Sequence, residues 1–85
     1  MENSVRIYTT SYCGFCRRAK EILKIRQIEF EEVDVTTDPE KRDWLVTATG
    51  RCTVPQIFIG EGSIGGYDEL RALDDAGELA RRVAG

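Results

Sequence analysis

The chain has 85 residues, a net charge of −3 and 41% hydrophobic residues, which fits one small domain folded around a single core. It contains no histidine, which excludes Cys–His nucleophile pairs, histidine general bases and Cys/His zinc sites. Acidic and basic residues are interspersed, with no basic stripe among aromatics and no apolar run able to span a bilayer, so neither a nucleic-acid nor a membrane partner is expected.

The N-terminal stretch "MENSVRIYTT" lacks the charged-then-apolar pattern of a signal peptide. The expectation is a cytoplasmic protein, one domain over 1–85, whose thiols the compartment keeps reduced. Val5–Tyr8 alternates and is rich in β-formers, so it reads as a first strand. From Gly14 onward, Phe15, Ala19, Ile22 and Leu23 recur at helical spacing and predict one apolar face. Ile28–Val35, "IEFEEVDV", reads as a second strand whose imperfect alternation and charge suit a sheet edge. Asp38 followed by Pro39 is a helix start, a capping side chain and then proline at the first position. Trp44, Leu45 and Ala48 are expected to be that helix's buried face, and Gly50 its end.

Gln56–Gly60 reads as a third strand, "GEG" as a turn and Ser63–Gly66, "SIGG", as a short fourth strand closing a hairpin. Gly66 opens a last helical region that Gly77 divides in two. The order β-α-β-α-β-β-α requires a parallel, right-handed first unit and an antiparallel last pair. An α/β fold follows, a mixed four-stranded sheet with helices on both faces.

The chemistry concentrates in "CGFC". Cys13 and Cys16 lie where the first strand gives way to the first helix. A helix start offers unpaired N–H groups and a positive dipole end, which stabilise a thiolate and raise its nucleophilic fraction at neutral pH. Cys16 lies one turn along on the same face, where it can resolve a mixed disulfide formed at Cys13. Cys13, nearer the exposed end, is the expected attacker; Cys16 is expected to be more buried and less ionised. The other readings are half a zinc site, for which a second pair is missing, and two small buried residues. C-x-x-C beside a β-α-β pattern favours the redox reading.

"CGFC", then "TVPQIFIG" (Thr53–Gly60), then "GGYDEL" (Gly65–Leu70) together resemble glutaredoxin, from Val5 to about Gly77. The resemblance implies the thioredoxin fold, and with it the strand order 2-1-3-4. It implies glutathione as co-substrate and glutathionylated or disulfide-bonded proteins as partners. It also implies catalysis by Cys13 and Cys16, with glutathione contacts at Phe15, Arg51, Thr53, Val54, Pro55, Gly66, Tyr67 and Asp68. Pro55 would be a cis-proline that turns the Val54 backbone toward the cysteine, where it pairs with the tripeptide as a strand does; otherwise it is a strand-start proline. Gly65 and Gly66 allow a ligand close to the backbone, the next helix start offers N–H groups to a carboxylate, and Asp68 can accept from an ammonium or merely cap the helix. Phe15 either flanks the tripeptide or packs on the core.

The sequence departs from the family in two places. Gly14 stands where the commonest dithiol members have proline, and glycine there is shared with single-thiol members that bind an iron–sulfur cluster between subunits. The alternative it motivates is a dimer in which Cys13 and two glutathiones hold a [2Fe–2S] cluster; otherwise no metal is expected and the protein acts as a monomer. Thr10 stands where many relatives have lysine, which leaves the helix start, Arg17 or Arg51 to face the thiolate. Arg42 and Arg51 are candidates for the glycine carboxylate of glutathione, or else solvated charges. Cys52 is open to glutathionylation or is simply semi-buried.

Overall fold

Alternating "VRIYT" forms strand β1, Val5–Thr9, in the computed structural model, which describes residues 3–85. Strand β2, Glu31–Asp34, runs parallel to it, with Val33 opposite Tyr8. Strand β3, Gln56–Ile59, is antiparallel to β1 with Ile57 opposite Ile7, and β4, Gly62–Gly65, pairs antiparallel with β3 across a bulge at Ile57/Phe58. The sheet order is β2-β1-β3-β4, the thioredoxin arrangement expected above.

Among the described residues, four helices cover the sheet: α1, Gly14–Ile25; α2, Pro39–Thr49; α3, Tyr67–Asp75; and α4, Leu79–Ala84. Side chains alternate across a strand, so the central strands β1 and β3 feed two cores. Val5, Ile7, Ile57 and Ile59 pack with Ala19 and Leu23 of α1, Leu70 of α3, and Leu79 and Val83 of α4. Tyr8 and Val35 pack on the opposite face with Leu45 of α2. The Asp38 carboxylate accepts the Lys41 N–H at 3.0 Å, Pro39 takes the first turn, and Gly50 ends α2 at φ 72°. Gly77, at φ 71°, separates α3 from α4.

Four expectations need correction. The second strand is shorter than Ile28–Val35, because the Ile28 N–H donates to the Leu23 carbonyl at 2.8 Å and so completes the end of α1. Ile28 and Phe30 then lie against the larger core instead of in the ladder. The fourth strand begins and ends one residue earlier than expected, since Gly66 is already the cap of α3. In α2 only Leu45 is buried; Ala48 is exposed, and Trp44 is 48% exposed while its ring lies 5.6 Å from that of Tyr8 and 6.0 Å from that of Phe58. A large ring can cover its neighbours with one face and leave the other to water. In α1 the inward stripe is Cys16, Ala19 and Leu23, and Phe15 is 54% exposed.

Candidate active site

The turn after β1 delivers Cys13 to the start of α1. Its backbone is extended (φ −100°, ψ 113°), and its sulfur fills the capping position, accepting the Cys16 N–H at 3.2 Å. Unpartnered N–H groups and the positive dipole end therefore converge on this atom. Cys13 is half-buried, whereas Cys16 is 1% exposed. Burial pushes the Cys16 thiol up to about 12, and its hydrogen bond with Cys13 adds to the effect. Cys16 thus remains protonated at neutral pH and cannot open the reaction. Limiting iodoacetamide at pH 8 is expected to label Cys13 and the exposed Cys52 well before Cys16, as read by peptide mass spectrometry; equal labelling of Cys16 would contradict this assignment.

The Val54–Pro55 bond is cis, and the Val54 carbonyl lies 3.6 Å from the Cys13 sulfur, which donates to it. The next side chain, Gln56, is wholly buried and donates from Nε2 to the Thr53 carbonyl at 2.9 Å and to its Oγ1 at 3.3 Å. Those bonds tie the loop carrying Thr53 and Val54 to the end of the sheet.

The eight residues named above beside the cysteines line one cavity of about 220 Å³, together with Glu69. Phe15 and Tyr67 meet with ring centroids 5.6 Å apart, and the Arg18 guanidinium stands 5.6 Å above the Phe15 ring. Phe15 therefore serves the cavity side of α1 and leaves the core to Cys16. Gly66 caps α3, and a Cβ there would lie 3.1 Å from the Pro55 carbonyl oxygen, so a larger residue would crowd the close approach of the cis-proline loop to the start of α3.

Sequence reasoning missed Glu69. Its Oε1 accepts the Gly66 N–H at 2.6 Å and the Arg51 Nη1 at 2.9 Å. The backbone N–H first, and then the guanidinium, hold this carboxyl below the usual carboxylate range. The signal was available: an acidic residue at the third helical position, after a cap, reaches back to the cap's N–H.

Arg17 and Arg42 stand outside the cavity lining. Thr10 is buried, and its backbone offsets part of the upward push on the Cys16 thiol, so this position acts on the second cysteine without bringing a charge to the first. A larger groove of about 510 Å³ opens on the α2 side beside Tyr8 and Trp44, but its lining holds none of the three cysteines. Among the described residues, no three potential metal ligands converge. Of the two cysteines of the C-x-x-C turn, Cys13 alone is open to an iron–sulfur cluster, since Cys16 is buried. No described helix is long and apolar enough to cross a membrane.

Comparison with known proteins agrees with this geometry. Residues 5–64 match the family model described as glutaredoxin. A glutaredoxin of Pseudomonas aeruginosa is 47% identical over 75 residues, covering 88% of this chain and 89% of the relative. The solution structure of a glutaredoxin from Brucella melitensis superposes with a TM-score of 0.88 at 42% identity, covering 98% of this chain and 90% of that one. The crystal structure of a buckwheat glutaredoxin–glutathione complex superposes with a TM-score of 0.90 at 26% identity, covering 95% and 76%.

Proposed function

We propose that this chain, which belongs to the glutaredoxin family and is a thiol–disulfide oxidoreductase, draws its electrons from glutathione and acts on glutathione mixed disulfides and protein disulfides through Cys13 and Cys16. One observation carries the reading: Val54 lines the cavity, and its carbonyl stands 3.6 Å from the Cys13 sulfur. A tripeptide thiol paired along Val54 has its own sulfur beside Cys13. The buckwheat relative, solved as a glutathione complex, supports the same ligand.

The Cys13 thiolate attacks the glutathione sulfur of a mixed disulfide. A new S–S bond forms, the substrate thiolate leaves and takes a proton, and glutathione stays in the cavity. A second glutathione thiolate then attacks that glutathione sulfur, which frees Cys13 and releases glutathione disulfide. With a protein disulfide, the Cys13 thiolate attacks one substrate sulfur, the substrate S–S bond breaks and its other sulfur leaves as a thiolate that takes a proton. Cys16 loses its proton and attacks Cys13, which expels the first substrate sulfur as a thiol, and two glutathiones reduce the resulting bridge and leave as glutathione disulfide.

The test is turnover of a small glutathione mixed disulfide, run on protein of known iron content, with glutathione and a thioredoxin reductase compared as electron donors. Glutathione is expected to sustain turnover alone. Turnover sustained only by the reductase would refuse the reading. A brown, iron-bearing dimer from anaerobic purification would favour the [2Fe–2S] alternative over the colourless monomer expected. The proposed compartment is the cytoplasm, and recovery from an extracytoplasmic fraction would refuse it.

A further inference from the structure

Resting on glutathione as the ligand, the geometry points to Arg51 and Glu69 as the pair that reads its γ-glutamyl end, Arg51 taking the α-carboxylate and Glu69 acting as the positioning residue that holds Arg51 there. This moves Arg51 from the glycine carboxylate, where the sequence offers it, to the other end of the tripeptide.

Placement is the first argument. Arg51 Nη1 is fixed 2.9 Å from Glu69 Oε1, and Nη2 lies 3.9 Å from where a Cβ on Gly66 would stand. The same Glu69 oxygen accepts the Gly66 N–H at 2.6 Å. One carboxylate therefore binds a guanidinium to the start of α3. Gly65 makes room for it: at φ 106°, a Cβ there would come 2.5 Å from Glu69 Oε1 and 2.7 Å from its Cγ.

Charge is the second. The cavity's charged lining is Arg51, Asp68 and Glu69, one cation and two carboxylates. The glycine end of glutathione carries a carboxylate alone, and two carboxylates are poor neighbours for it. The γ-glutamyl end is a zwitterion. Its carboxylate suits the remaining Arg51 donors and the free N–H groups of α3, and its ammonium suits Asp68. The ion pair is about half exposed, with side-chain exposures of 46% and 43%, so it contributes little to the stability of the fold. Its use is to hold a planar guanidinium in one orientation, so that less side-chain freedom is lost when the ligand arrives.

The experiment is steady-state kinetics of the full chain on small mixed disulfides of glutathione, γ-glutamylcysteine and cysteinylglycine. Arg51→Met is expected to lower kcat/KM about tenfold on the first two, through KM with kcat kept, and to spare cysteinylglycine. Glu69→Gln retains an oxygen for the Gly66 N–H and loses the charge; it is expected to show the same selectivity at about threefold. Equal losses on all three substrates, or no loss in either variant, would overturn the inference. So would a loss by Arg51→Met on cysteinylglycine that spares γ-glutamylcysteine, which would return Arg51 to the glycine end. In each of those cases the parent protein still turns over the glutathione substrate and only this inference fails. A parent with no such turnover refuses the glutathione reading and this inference with it.

Discussion

Replacing Cys13 by serine is expected to abolish every exchange reaction, with turnover of a glutathione mixed disulfide down by a factor on the order of 10³ or more. The substitution isolates chemistry from folding. Cys13 is the N-cap of α1, and its sulfur accepts the Cys16 N–H at 3.2 Å. Serine is among the preferred capping residues, so its oxygen can take over that bond and the helix start survives. What disappears is the nucleophile, because a hydroxyl here has no base beside it; the chain contains no histidine. Cys13→Ser should therefore melt near the temperature of the parent while exchange ceases. Residual turnover within about tenfold of the parent would mean that another sulfur attacks, and the exposed Cys52 would be the first to examine.

Which parts of this site were legible in advance follows from how far apart the cooperating residues lie in the chain. The Cys13 cap and the Cys16 turn are three residues apart, and helical geometry alone relates them. The Asp38–Pro39 start and the Gly50 stop of α2 are likewise local, and both stand where expected. Burial of α2 is not local. Trp44 reads as a core residue by type, but it lies over the rings of Tyr8 and Phe58 at the sheet surface, and half of its surface stays in water. Phe15 reads as the first apolar residue of a buried stripe, yet the neighbouring sulfur of Cys16 takes that place and the ring turns to Tyr67. The start of the second strand was misplaced because a helix-closing bond from Ile28 to Leu23 outcompetes the ladder. Glu69 and Arg51 are 18 residues apart, and nothing in either segment alone announces their ion pair. The glycine beside them was visible in the sequence. That Gly65 makes room for a carboxylate folded back over the turn becomes evident only with the turn in three dimensions.

Cys16→Ser should divide the two activities that Cys13→Ser removes together. Deglutathionylation of a small mixed disulfide is expected to stay within about threefold of the parent, because only the Cys13 sulfur and a second glutathione take part in it. Reduction of a protein disulfide should be lost. There the first attack leaves Cys13 joined to the substrate, and the sulfur best placed to release it is the one a helical turn away. Its burial keeps Cys16 protonated, with its pKa pushed up to about 12, so it waits as a thiol until Cys13 is bonded. Part of that rise comes from the Cys13 sulfur, through its hydrogen bond and charge; once that sulfur enters a disulfide this part falls away, and desolvation is left against the lowering effects of the Thr10 backbone and Lys20. The substitution is mild structurally, since serine differs from cysteine by one atom and leaves the backbone of α1 unchanged. Running both assays on one preparation separates the outcomes. If Cys16→Ser loses deglutathionylation while Cys13→Ser retains it, attacker and resolver are reversed, and the buried sulfur rather than the capping one begins the reaction.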